Sequence, residues 1–188
     1  DEVKGKTVFG AKVIPARGVW LEIETDTDGT IYARIDRKRK FMVSSLLRIL
    51  GADTDEKILS YYKDDAVAHK VIAATLAKDT AKTVSDAYIE IHKRLRDGDL
   101  ATADNAREFI QGLFNKDRYN LSNVGRFRFN KRFNKPMTEK ELERKTVDAL
   151  DLATIVGHII HLNNQIDATE DDIDHLGNRR VRSVGELM

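Results

Sequence analysis

Two hydrophobic periods divide the chain. Over residues 8 to 36 the period is two: Val19, Leu21 and Ile23 alternate with Trp20, Glu22 and Glu24, and Ile31, Ala33 and Ile35 alternate with Tyr32, Arg34 and Asp36. That is the pattern of half-buried strands. Between the two runs, Thr25-Asp26-Thr27-Asp28-Gly29-Thr30 carries turn chemistry, with Asp-Gly its strongest signal. The prediction is a hairpin within a small antiparallel meander that begins near Val8 to Ile14.

From Met42 onward the period lengthens and helices are predicted. Met42 to Leu50 is short and apolar and ends at Gly51, a residue suited to the position after a helix. Short helices follow around Asp55 to Tyr61 and Asp65 to Leu76. Val84, Ala87, Tyr88, Ile91 and Leu95 then keep helical spacing up to Asp97-Gly98, as do Ala106, Phe109, Ile110, Leu113 and Phe114 in the next helix. These stripes read as core. Residues 138 to 162 read as one long helix, opened by Thr138 with Glu141 three positions on, a capping-box pattern. Asn163-Asn164-Gln165 ends it. The fold class expected is α+β: a small antiparallel β-meander at the N-terminus followed by a mainly helical part.

Composition adds limits. A chain of 188 residues, 41% of them hydrophobic, suits one domain, or one domain with a piece of a second. Charged residues reach 34% yet the net charge is only +1, so local clustering of charge is what carries information. The absence of cysteine excludes a disulfide scaffold and thiolate metal sites. No apolar run is long enough to span a bilayer, and the N-terminus lacks a signal-peptide pattern. Both ends read as cut from something longer.

Four stretches hold candidate chemistry. In Asp171 to Val184, Asp171, Asp172 and Asp174 crowd together and Arg179, Arg180 and Arg182 follow, separated by the turn-like His175-Leu176-Gly177-Asn178. The two clusters either pair with each other or jointly bracket a ligand such as a phosphate or a guanine edge. Trp20 shares a strand face with glutamates, so it either packs beneath a neighbour or offers a stacking platform for a nucleobase. Arg34, Arg37, Lys38, Arg39 and Lys40 make a basic strand end: solvated surface, or a nucleic-acid face beside that tryptophan. In Arg118 to Arg132 aromatic and basic residues interleave, which suits stacking with phosphate neutralisation, or buried Phe127 and Phe129 with arginines reaching outward.

Catalytic readings are weaker. His158 and His161 lie one helical turn apart, but a third metal ligand would have to come from elsewhere, and HExxH is absent. Asp171, Asp172 and Asp174 would suit Mg²⁺, yet three arginines compete for the same carboxylates. There is no glycine-rich phosphate cradle and no G-x-S-x-G elbow.

The run Asp172-Ile173-Asp174-His175-Leu176-Gly177-Asn178-Arg179-Arg180-Val181-Arg182-Ser183-Val184-Gly185-Glu186 closely resembles a signature of the bacterial RNA polymerase beta subunit. Ile14-Pro15-Ala16-Arg17-Gly18-Val19-Trp20-Leu21, Arg34 to Lys40 and Arg118 to Arg126 resemble further beta-subunit segments, in the family's order. The resemblance implies that residues 1–135 are the beta lobe in its compact form, with the meander at 8–36. Residues 136–188 would return toward the protrusion and fork. It implies a non-catalytic part of a nucleotidyltransferase, with the catalytic Mg²⁺ on the beta-prime subunit and no cofactor in this segment.

By the same resemblance Asp174 accepts from an unstacked non-template guanine, with Ile173 and Arg179 shaping the pocket, and Trp20 stacks on the neighbouring base. Arg118 lies near the single strand of the bubble, and Arg37 and Arg39 lie toward downstream duplex. The implied partners are DNA and the beta-prime, alpha and sigma subunits, with no membrane, in a bacterial cytoplasm at the nucleoid. Two alternatives remain: a free-standing nucleic-acid-binding module, and a small Mg²⁺-dependent phosphotransferase using Asp171, Asp172 and Asp174.

Overall fold

The computed structural model of the chain describes residues 2–3, 6–179 and 183–188. Strands β1 (Glu2–Val3) and β2 (Lys6–Thr7) pair with each other, apart from the main sheet. That sheet is an antiparallel meander of β3 (Ala11–Val13), β4 (Leu21–Thr25), β5 (Ile31–Ile35) and β6 (Phe41–Met42), hydrogen-bonded in sequence order. The period-two reading holds at residue level: Leu21, Ile23, Ile31, Ala33 and Ile35 are buried in one core. The opposite face carries charge pairs across the strands. Lys12 reaches Glu22 at 3.3 Å, and Arg34 reaches Glu24 at 3.0 Å. The β4–β5 turn ends on Gly29 at φ +83°, which frees the amide of Gly29 to bond Asp26.

One strand was not anticipated. Phe41–Met42, of which Met42 reads as the start of helix, pairs with Tyr32 and Ala33 of β5 before the chain turns helical. Helices α1 (Val43–Ile49), α2 (Asp55–Ser60), α3 (Ala66–Lys78), α4 (Val84–Leu95) and α5 (Ala103–Leu113) follow close to their expected places. Gly51 ends α1 at φ +124°, where its amide and that of Ala52 bond carbonyls of the last turn. Thr54, Asp65, Thr83 and Thr102 cap the next four helices through their side chains.

The long helix expected over 138–162 is two helices. A four-residue α7 (Glu139–Leu142) stops, and α8 (Ala149–Asn163) starts afresh at Asp148. Asp148 and Asp151 form the reciprocal capping box, whereas Thr138 makes no side-chain cap bond. The break has a cause outside the segment. The buried guanidinium of Arg126, on α6 (Ser122–Arg132), takes the carbonyls of Arg144 at 2.9 Å and Thr146 at 2.5 Å. Carbonyls held in this way are withdrawn from a helical ladder.

Helix α8 lies in the same core as the sheet and α1 to α3. Leu152, Val156, Ile159 and Ile160 are buried there, and the hydroxyl of Tyr62 donates to the carbonyl of Ala153 at 2.8 Å. At its far end Asn163 accepts from the amide of Phe9 at 2.6 Å and donates to Thr25 at 2.8 Å. The meander and α8 are thereby tied together across most of the chain. Beyond α8 come a 3₁₀ turn at Leu176–Asn178 and α9 (Val184–Leu187). No helix among the described residues is long and apolar enough to cross a membrane.

Candidate nucleic-acid interface

Trp20 stands just before β4, where the strand period ends. Val19 packs against the core, while Trp20 is half-buried. What covers its ring is a cation: the guanidinium carbon of Arg37 lies 5.0 Å from the ring centroid. Asp36 joins the two. Its amide donates to the carbonyl of Trp20 at 2.9 Å, and its carboxylate accepts from the amide of Trp20 at 2.8 Å. This extends the β4–β5 ladder one residue beyond Leu21 and Ile35, with a side chain doing what a backbone acceptor would do.

The rest of the basic stretch is largely paired. Arg34 holds Glu24, Arg39 reaches Asp97 at 3.2 Å, and Lys40 reaches Asp26 at 2.7 Å while lying over Tyr32. Lys40 lowers the pKa of Asp26, chiefly through that hydrogen bond. Arg34, Arg37, Lys38 and Arg39 line a shallow groove against Arg94 and Asp97, near the C-terminal end of α4. It is an open, mostly cationic surface that suits a phosphate backbone.

Arg118 is exposed on the segment that runs antiparallel to the Trp20 approach. The amide of Arg17 donates to the carbonyl of Asn120 at 3.1 Å, and that of Asn120 returns to Arg17 at 2.8 Å. Gly18 sits at φ +119° so close to this segment that a Cβ there would meet the Arg118 carbonyl and the Tyr119 ring, each at 2.9 Å. Two segments a hundred residues apart in the chain are thus neighbours.

Helix α6 inverts one of the two expectations for the interleaved stretch. Arg126 is buried and Phe127 is 45% exposed; Phe129 is half-buried beside Phe133. The reason is electrostatic. Arg126 meets Asp151 at 2.8 Å with both side chains essentially sealed, at 0% and 1% exposure, and Lys135 and Arg144 reach the same carboxylate. Burial by itself would raise the pKa of Asp151, but Arg126 and Lys135 hold it below the ordinary carboxylate value.

The acidic stretch proves to be three carboxylates with separate partners. Asp171 meets Arg132 of α6 at 2.9 Å. Asp172 accepts from the amides of Asp174 at 3.1 Å and His175 at 3.0 Å, and its carbonyl takes Asn178 at 2.8 Å, so it shapes the turn. Asp174 meets Arg179 at 3.2 Å, the two side chains 84% and 60% exposed. Ile173 between them is 75% exposed. Arg180 and Arg182, the other members of the arginine cluster, lie outside the described residues. Nor do the three carboxylates converge: among the described residues no group of three or more His, Asp or Glu is arranged to hold a metal.

Of the two alternatives, the structure holds the pairing between Asp174 and Arg179. The Asp174–Arg179 pair is solvated and worth only about 0–1 kcal/mol, so a ligand can replace it at little cost. Arg128 and Arg132, members of the interleaved stretch that composition does not single out individually, fasten the turn to α6: Arg128 donates to the carbonyl of Gly177 and Arg132 holds Asp171. Their spacing of four on one helix face is the signal that would have found them. Arg132 also faces the Nε2 of His158 at 3.2 Å; burial, then this cation, lowers the pKa of His158. His161 instead faces Asp65 at 2.5 Å, so the two histidines have separate partners.

The chain has relatives along its whole length. The family model described as RNA polymerase Rpb2, domain 2, matches residues 4–182. A DNA-directed RNA polymerase subunit beta from Syntrophomonas wolfei is 42% identical over the whole chain, which spans 16% of that protein's length. The subunits beta of Dehalococcoides mccartyi strain BAV1 and Chloroflexus aggregans are 40% and 38% identical, again over the whole chain and 15% and 18% of their lengths. The chain belongs to the RNA polymerase Rpb2 domain 2 family and corresponds to a portion of a bacterial-type RNA polymerase beta subunit.

Proposed function

We propose that this portion holds DNA during transcription without performing nucleotidyl transfer, residues 1–135 acting as the beta lobe and residues 136–188 leading toward the protrusion and fork. In this reading Asp174 accepts from a flipped-out guanine of the non-template strand, Ile173 and Arg179 form the pocket walls, and Trp20 stacks on the adjacent base. Arg118 lies along the single strand, and Arg37 and Arg39 face downstream duplex. The partners are DNA and the beta-prime, alpha and sigma subunits, in a cytoplasmic enzyme working at the nucleoid, with the catalytic Mg²⁺ held by beta-prime.

One observation carries the reading: the turn holding Asp174 is prebuilt, yet Asp174 itself is exposed and its pairing with Arg179 is solvated. Asp172 shapes that turn and Asp171 anchors it, leaving Asp174 on the surface beside an exposed isoleucine. An unpaired guanine offers N1–H and N2–H₂ donors, which a carboxylate accepts together, while an isoleucine side chain supports the base plane. No other base presents that donor pair on its Watson–Crick edge.

The test uses assembled polymerase carrying Asp174→Ala. The expected outcome is about a ten-fold loss of preference for a downstream non-template guanine, equivalent to ~1.4 kcal/mol, within the range of one bidentate base contact. Catalytic turnover on templates lacking that guanine should be unchanged. Undiminished guanine preference would remove Asp174 from the pocket.

A further inference from the structure

The turn between β5 and β6 closes with the amide of Lys38 on the carbonyl of Ile35 at 3.0 Å, and both of its central residues have positive φ. They are Asp36 at +49° and Arg37 at +58°, and neither is glycine. Turns of this kind favour Asn-Gly or Asp-Gly because a Cβ is strained in the left-handed region. Asp tolerates that region; arginine gains nothing from it locally. A strained residue persists where its surroundings demand it, and it points to function.

Three observations say what the demand is. The reciprocal bonds between Asp36 and Trp20 set the depth and angle of the turn against the indole. Arg37 follows in the left-handed conformation, just beyond the end of β5. There its guanidinium lies over the Trp20 ring, 5.0 Å from the centroid. A glycine would relax the turn and leave the ring uncovered.

We infer that Arg37 is a positioning residue for the stacking platform: it closes one face of the Trp20 indole and fixes its orientation, so that a nucleobase stacks from the opposite face alone. This rests on the reading of Trp20 as a base-stacking residue and deepens it. The Arg37 guanidinium lies over the indole while Asp36 bonds the Trp20 backbone. Most of the ordering of the platform is therefore complete before a base arrives.

Trp20 is the sole tryptophan of the chain, so its fluorescence reports on this site directly. In the 188-residue chain, Arg37→Gly should raise acrylamide quenching of Trp20 about two-fold while the melting temperature stays equal or rises, because the turn strain is relieved. In assembled polymerase, 2-aminopurine at the non-template position beside the flipped guanine should be quenched by stacking. Trp20→Ala abolishes that quenching, Arg37→Gly reduces the stacked population about two- to five-fold, and Arg37→Lys, which keeps a cation, recovers part of it. A structural role alone would lower stability with Arg37→Gly, and that result overturns the inference. If Trp20→Ala removes the quenching while Arg37→Gly leaves it intact or strengthens it, the stacking reading stands and Arg37 has no positioning role. If Trp20→Ala has no effect, both fall.

Discussion

Two carboxylate–guanidinium pairs in this protein have similar geometry and opposite meaning. Arg126–Asp151 is sealed from water, and each partner also bonds other groups: Arg126 takes two backbone carbonyls, and Asp151 takes Lys135 and Arg144. Removing one partner strands a buried charge, so Asp151→Asn should cost about 3–5 kcal/mol in denaturant unfolding of the chain. The pair also has a pH signature. The folded pKa of Asp151 lies below its unfolded value, so its stabilisation is present above that unfolded value and is lost as pH falls through the folded one. Unfolding titrations should show that loss setting in below about pH 4, and Asp151→Asn should flatten it. Asp174–Arg179 is the contrast. Asp174→Ala should shift stability by less than about 1 kcal/mol, which leaves its effect on base preference free of any folding defect.

At the scale of elements, what periodicity could reveal and what it could not are clearly separated. The meander was legible because Leu21, Ile23, Ile31, Ala33 and Ile35 alternate with polar partners, and each is buried as the period requires. The helices α4 and α5 were legible from their apolar stripes, Val84 to Leu95 and Ala106 to Phe114. The break between α7 and α8 was not: Glu143, Arg144 and Lys145 are good helix formers, and the decisive partner, Arg126, comes from another helix. Thr138 and Glu141 imitate a capping box, but the working one is Asp148 with Asp151. Asp148→Ala should therefore destabilise the chain by about 0.5–2 kcal/mol, whereas Thr138→Ala should change little. Equal costs at the two positions, measured by denaturant unfolding, would argue for a continuous helix.

For the whole molecule, the site is best understood through α6. One side of this helix is held by the buried Arg126, which ties it to the start of α8; another side sends Arg128 and Arg132 to the turn that bears Asp174. The exposed turn is thus tied to the core through α6. Composition showed both clusters, the basic aromatic stretch and the acidic one, but not that they meet, since α7 and α8 separate them in the chain. Arg132→Ala tests this arrangement. It removes the partner of Asp171 while leaving the core untouched, so global unfolding should move by less than about 1 kcal/mol. Amide exchange over residues 166–179 should nonetheless quicken several-fold, because local opening of a surface segment is governed by its own few contacts. In assembled polymerase the same substitution should weaken guanine preference by less than Asp174→Ala does, since the acceptor remains but is no longer held in place. Exchange that stays as slow as in the unaltered chain would mean that the turn is ordered by its own Asp172 bonds, and that α6 is merely its neighbour.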